Sequence, residues 1–283
     1  MTRRPDPVTP RLLRRHPLPT ASGGKRQRGS VLVVGGSRRT PGAAALTGLA
    51  ALRVGAGRLT LAMAESVSPA VAVSFPEAGV VGLPEDADGS PLGDCADTLL
   101  AEDADAIVIG PGLTDIDQTT ALLQGLLPRL SADTTVALDA FALGALANHP
   151  ELAKPVAGRL LLTPNSTEVE LLLGQAPKDD ATGARDTARR FDAVVCCGGV
   201  VAGPDGLVEV REGGPGLGTS GSGDVLVGAA GGLLARGASP QTAGMWATWL
   251  HNAAGERIAR QAGPIGFLAR ELADGLRHQL TAT

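Results

Sequence analysis

Residues 213–232 read GGPGLGTSGSGDVLVGAAGG. So many glycines and small residues suit a backbone that must come close to a ligand better than they suit side-chain packing. Its centre, Gly221-Ser222-Gly223-Asp224, runs directly into a helical pattern. That places several free N–H groups and the positive end of a helix beside one carboxylate. Such a start binds phosphate, and the carboxylate beside it can take a proton from an attacking hydroxyl. The plainer alternative is a glycine-rich turn with Asp224 as a helix cap.

Outward from this segment, the chain reads as alternating strands and helices. Downstream, helices are expected near Gly223–Ala235, Pro240–Arg260 and Gly266–Leu280. Upstream, the expected strands are Ser30–Val34, Arg58–Ala62, Gly79–Leu83, Ala106–Ile109, Thr135–Asp139, Arg159–Thr163 and Ala193–Cys197. Helical stretches at Gly42–Val54, Gln118–Leu130, Thr167–Leu173 and Ala181–Arg190 fall between them. Continuous apolar runs such as VLVV, LLLT and AVVCC belong to strands buried on both faces. The alternation predicts one α/β domain over residues 29–283, with a central, mainly parallel sheet covered by helices on both faces. A short β pair, Val200–Ala202 and Leu207–Val210, joins through Gly203-Pro204-Asp205-Gly206. Residues 1–28 read as an arm with one short helix, Pro10–Arg15.

Composition narrows the function. The chain is 43 % hydrophobic and 19 % charged with net charge −4, so it is globular and gives no overall case for nucleic acid. The arginines of the arm read as a solvated face packing on a neighbour. No apolar run suits a signal peptide or a membrane span. Cys95, Cys196 and Cys197 are odd in number and two are adjacent, which points to a reducing, cytoplasmic setting rather than a disulfide framework. The four histidines are scattered and suggest no zinc site. His251, near Trp246 and Trp249, reads as a packing or polar-interface residue. Gly35-Gly36-Ser37 lacks the full dinucleotide fingerprint. Asp139, at a strand end, is a cap or lies near magnesium or substrate.

Several segments, in order, resemble the ADP-dependent NAD(P)H-hydrate dehydratase family of the ribokinase-like superfamily. They are TPRLLRRHPLPTASGGKRQRGSVLVVGGS (9–37), PGAAALTGLAALRVGAGRLTLA (41–62), FPEAGV (75–80), DADAIVIGPGL (103–113), LDAFAL (138–143) and PGLGTSGSGDVLVGAAGGLLARG (215–237). The resemblance implies a ribokinase-like fold. It implies that Ala43, Gly112, Asn165 and Asp224 face hydrated NADH or NADPH. It gives Asp224, with Gly221 and Gly223, the catalytic role. Gly223 and the loop Cys197, Gly198, Gly199, Val200 and Val201 would hold ADP or ATP. A phosphoryl group would activate the hydroxyl added to the nicotinamide ring, and elimination would restore the cofactor. Family members are usually oligomeric, and the apolar helix near Gly42–Val54 agrees, so a homo-oligomer is expected.

The chain departs from the family pattern in three places. Asn165 stands where the family has His, although Asn165-x-x-Glu168 matches the superfamily's kinases, where Glu168 would help hold Mg²⁺. It also fits a helix cap. Cys197 stands where the family has Lys, removing a phosphate contact of ~1.5–3 kcal/mol. Thr114 replaces a Gly, which would narrow the substrate entrance. Two other readings remain at this point: a kinase of the same fold acting on a small alcohol, and a non-catalytic nucleotide-binding paralogue.

Overall fold

The computed structural model describes residues 5–20 and 24–280. Its elements follow in chain order: β1 (Asp6–Pro7), α1 (Pro10–Arg15), β2 (Ser30–Val34), α2 (Pro41–Arg53), β3 (Arg58–Ala64), α3 (Ser68–Ser74), β4 (Gly79–Leu83), α4 (Ala96–Leu100), β5 (Ala106–Ile109) and α5 (Ile116–Leu126). Then come β6 (Thr135–Leu138), α6 (Phe141–Asn148), β7 (Leu160–Leu162), α7 (Ser166–Leu173), α8 (Asp180–Phe191), β8 (Ala193–Cys197), β9 (Val200–Gly203), β10 (Gly206–Glu209), α9 (Ser222–Ala235), α10 (Pro240–Ala262) and α11 (Ala269–Leu280).

The strands form one sheet in the order β1-β10-β9-β8-β7-β6-β5-β2-β3-β4. All neighbours from β4 across to β8 are parallel. The expected α/β architecture is therefore present. Its two-sided burial follows from the pleat, which sends successive side chains to opposite faces. Val31 and Val33 join the core beneath α2, α9, α10 and α11, while Leu32 and Val34 join the core beneath α5 to α8. Every residue of β2 is buried, which is why VLVV carries no polar alternation.

Beyond β8 the sheet turns antiparallel. The expected β pair is β9 and β10, and β1 adds in parallel to β10. α1 also packs on the body, with Leu13 fully buried. The indole of Trp246 donates to the carbonyl of His16 at 2.8 Å.

The chain runs outward from β2 through β3 to β4, then returns to place β5 on the other side of β2. The carboxyl ends of β2 and β5 thus flank the point where the strand order reverses. Open α/β sheets form their ligand crevice there.

The differences from the sequence reading are local. α5 ends at Leu126 and continues only as a 3₁₀ turn, because Pro128 has no N–H to extend the ladder. α11 begins at Ala269 rather than Gly266, whose φ of +97° lies outside helical space. Strand β1 and helices α3, α4 and α6 had not been expected. α3 is seven residues, SPAVAVS, whose alternating valines mimic a strand.

Candidate active site

Two loops meet at the carboxyl edge near the reversal point. Gly36 donates to the carbonyl of Pro111 at 2.9 Å, and Ser37 N to that of Gly112 at 2.7 Å. The Thr40 hydroxyl donates to the same Gly112 carbonyl at 2.8 Å. The approach requires glycine: a Cβ on Gly112, where φ is +74°, would lie 2.4 Å from the Thr40 carbonyl oxygen and 3.0 Å from Ala43 Cβ. Ala43 and Gly112, both expected to face the substrate, are therefore in contact with each other.

Asp224 reaches this corner through helix register. α2 and α9 pack so closely that a Cβ on Gly228 would lie 2.2 Å from Thr47 O, and one on Gly232 would lie 2.5 Å from Ala51 O. Equal steps of four along both helices make the pair parallel and in register. Extended one turn toward the amino ends, that register sets Asp224 at the level of Ala43. Beside it, Gly221 packs against Leu46 and Ala269.

Burial pushes the Asp224 carboxyl up to about 6. Asp139, 7 % exposed, is pushed up to about 7, chiefly by burial. The Thr163 hydroxyl donates to its Oδ1 at 2.9 Å, and the charges of Glu168 and Asp224 oppose its ionisation. Asp139 thus shares one electrostatic neighbourhood with both carboxylates. It precedes Ala140, a non-glycine residue at φ +49°, ψ −121°, so the backbone is strained at this edge.

Next to this corner opens a cleft of about 920 Å³ at the ends of β7, β8 and β10. Its lining includes Asn165, Cys197, Gly198, Gly199, Gly221 and Gly223. Gly198 and Gly199, at φ +57° and +82°, make a two-residue turn between the paired Cys197 and Val200, a conformation glycine suits. Val200 and Val201 do not line the cleft. Both are strand residues turned into the two cores, at 4 % and 0 % exposure. Cys197 reaches the rim, but its thiol belongs to the core under α7 and α8, and burial pushes it up to about 12. It offers neither charge nor a ready thiolate.

The start of α9 supplies first-turn N–H groups beside the cleft. Gly221, in left-handed conformation at the cap, contributes no side chain. The Ser222 N–H, however, is committed to Thr219 O at 3.2 Å. The donors expected from Gly221–Gly223 therefore exclude Ser222, and Gly223 and Asp224 follow it as the next first-turn groups.

Asn165 caps α7. Its side chain accepts from Glu168 N at 3.0 Å, while Glu168 Oε2 accepts from Asn165 N at 2.8 Å, which makes a capping box. Burial raises Glu168.

Two features were not legible as site components. One is a hydrogen-bonded chain from Ser222 through His251 and Asn252 to Glu212. The other is Arg211, the one Lys or Arg among the described residues lining the cleft. Their elements are distant in sequence, so no spacing signals them.

An NAD(P)H-hydrate dehydratase family model matches residues 31–278. An ADP-dependent (S)-NAD(P)H-hydrate dehydratase from Xanthomonas campestris is 44 % identical over 274 residues, covering 94 % of this chain and 92 % of that protein. The chain spans about half the length of the bifunctional NAD(P)H-hydrate repair enzymes that it also matches. Among solved structures, the ADP/ATP-dependent NAD(P)H-hydrate dehydratase from Bacillus subtilis, co-crystallised with ATP and Mg²⁺, superimposes with a TM-score of 0.80 at 31 % identity, covering 98 % of both chains. A ribokinase-like superfamily protein from Enterococcus faecalis, also at TM-score 0.80 but 20 % identical over 98 % of this chain and 95 % of that one, shares the fold. The chain is ribokinase-like in fold and belongs to the NAD(P)H-hydrate dehydratase family.

Proposed function

We propose that this protein dehydrates hydrated NADH and NADPH at the expense of ADP or ATP. The observation that supports the reading most is the register of α2 and α9, which brings Asp224 to the level of Ala43 while its neighbours Gly221 and Gly223 line the cleft. The corner would receive the hydrated nicotinamide and the cleft the nucleotide. Asp224 accepts the proton of the ring hydroxyl as its oxygen attacks the terminal phosphoryl group of the nucleotide. That bond transfer releases AMP from ADP, or ADP from ATP. The ring then expels the phosphorylated oxygen as inorganic phosphate, a better leaving group than hydroxide, and the adjacent ring carbon gives up a proton to water, so that the double bond and the reduced nicotinamide are restored. The first-turn N–H groups of Gly223 and Asp224 stabilise charge on the transferring group.

Magnesium fits this arrangement in a particular way. No three His, Cys, Asp or Glu side chains among the described residues gather into a metal cage. Mg²⁺ held mostly by phosphate oxygens and water needs only one or two carboxylates. Glu168, with Oε1 outside its capping box, is the residue that would hold it. When bound, the ion would offset phosphate charge. The capping box by itself accounts for Asn165-x-x-Glu168, so that motif no longer argues for a small-alcohol kinase.

The buried, unpaired cysteines suit a reducing cytoplasm. The exposed Val73, Ile265 and Leu268 suit burial in a homo-oligomer. The test is to supply the purified protein with hydrated NADH, Mg²⁺ and ADP or ATP, and to follow the reduced-nicotinamide absorbance. Recovery with equal release of phosphate is expected; no recovery with either nucleotide overturns the reading.

A further inference from the structure

We propose that His251 is a positioning residue for this reaction, acting through the Ser222 hydroxyl to set the start of α9. The inference rests on the function proposed above. Its basis is a chain of contacts that crosses the floor of the cleft. Ser222 Oγ lies 2.9 Å from His251 Nε2, His251 Nδ1 lies 3.1 Å from Asn252 Oδ1, and Asn252 Nδ2 donates to the Glu212 carbonyl at 2.8 Å.

The last bond fixes the direction of the others. Because the Asn252 amide nitrogen faces a carbonyl, its oxygen faces the ring, and Nδ1 must carry the hydrogen. A neutral ring then leaves Nε2 bare, and the Ser222 hydroxyl donates to it. The Ser222 carbonyl, 3.1 Å from the same nitrogen, would gain a donor only from a doubly protonated ring. Burial disfavours that form.

The consequence falls on the catalytic turn. A side-chain cap is a common way to fix a helix's first turn, and α9 has none. The tie from Ser222 to His251 takes its place, immediately before Gly223 and Asp224. The same amide shapes the opposite wall. A Cβ on Gly213 would lie 3.3 Å from Asn252 Nδ2, and one on Gly199 would lie 3.7 Å away. α10 thus holds the β8–β9 turn, the Glu212–Gly213 loop and the start of α9 at one spacing.

A histidine that merely packs and one that positions differ in kinetics. In His251→Phe and in Ser222→Ala, kcat is expected to fall about 10- to 100-fold, and ADP affinity by calorimetry about three- to tenfold. The double variant should be no more than about twofold worse than the poorer single one, since both break one chain. His251→Gln, whose amide oxygen can accept from Ser222, should retain at least about a third of wild-type kcat. Variants that melt lower but keep kcat and ADP affinity within about twofold overturn the proposal, as do losses that multiply in the double variant. If the wild-type protein binds ADP but never restores NADH, the functional reading fails. Positioning is then judged on ADP affinity: the expected weakening supports it, and unchanged affinity sinks it.

Discussion

The proposed mechanism concentrates the chemistry in the Asp224 side chain, and two measurements isolate it. Asp224→Asn keeps the size and the place in the first turn but cannot take the proton. Nucleotide affinity should stay within a few-fold while turnover drops by about 10²–10⁴, the range for a lost general base. More than about a tenth of wild-type turnover in that variant would remove Asp224 from the mechanism. The second is pH. The base works only when ionised, and burial holds its carboxyl near 6. Turnover should therefore be level above that value and fall toward tenfold per pH unit below it; a profile flat down to pH 5 would contradict the assignment. Asp224, Gly221 and Gly223 were legible because the motif is contiguous and each residue type has a local reason. Ala43 and Gly112 came only through the family resemblance, because their contact is made across 69 residues of chain. His251 read as a packing residue because its partner Ser222 is 29 positions away.

At the level of elements, α7 separates two roles for one acidic residue. Glu168→Gln preserves the capping box, since glutamine serves at that position as well, but removes the charge. Thermal stability should hold while the Mg²⁺ requirement of turnover rises; an unchanged requirement would show Glu168 to be a cap alone. Asn165→Ala should instead cost about 1 kcal/mol of stability through the lost cap. The α2–α9 pair makes a harsher demand. With no room for a Cβ at Gly228, Gly228→Val must push the helices apart, costing at least about 1–3 kcal/mol and shifting Asp224 from Ala43. A melt and activity equal to wild type would refute the register argument. Strands such as β2, β5 and β8 matched their expected limits because each apolar run gives way to a glycine, Gly35, Gly110 or Gly198. Helix ends were less legible. α6 starts at a strained Ala140 with no side-chain cap, which leaves no signature to read.

The whole molecule joins two candidate ligand regions along one sheet edge, and the parallel architecture was legible from the alternation alone. Strand order was not, because it depends on where the chain reverses, and the reversal between β4 and β5 carries no residue signal. Assembly is the remaining large-scale expectation. A groove of about 740 Å³ lined by Leu46, Leu49, Leu52, Phe75 and Leu268 runs beside the candidate substrate corner. Light scattering at micromolar concentration should report a multiple of the chain mass of 28.5 kDa; a monomer would defeat the homo-oligomer. The far end of the sheet has its own consequence. β1 covers the outer edge of β10, the strand that runs into Arg211 and the loop walling the cleft. Stripping those first residues away would bare a row of backbone groups ready to recruit strands from other molecules. The amino-terminal segment thus stands guard over the margin that leads into the candidate nucleotide cleft.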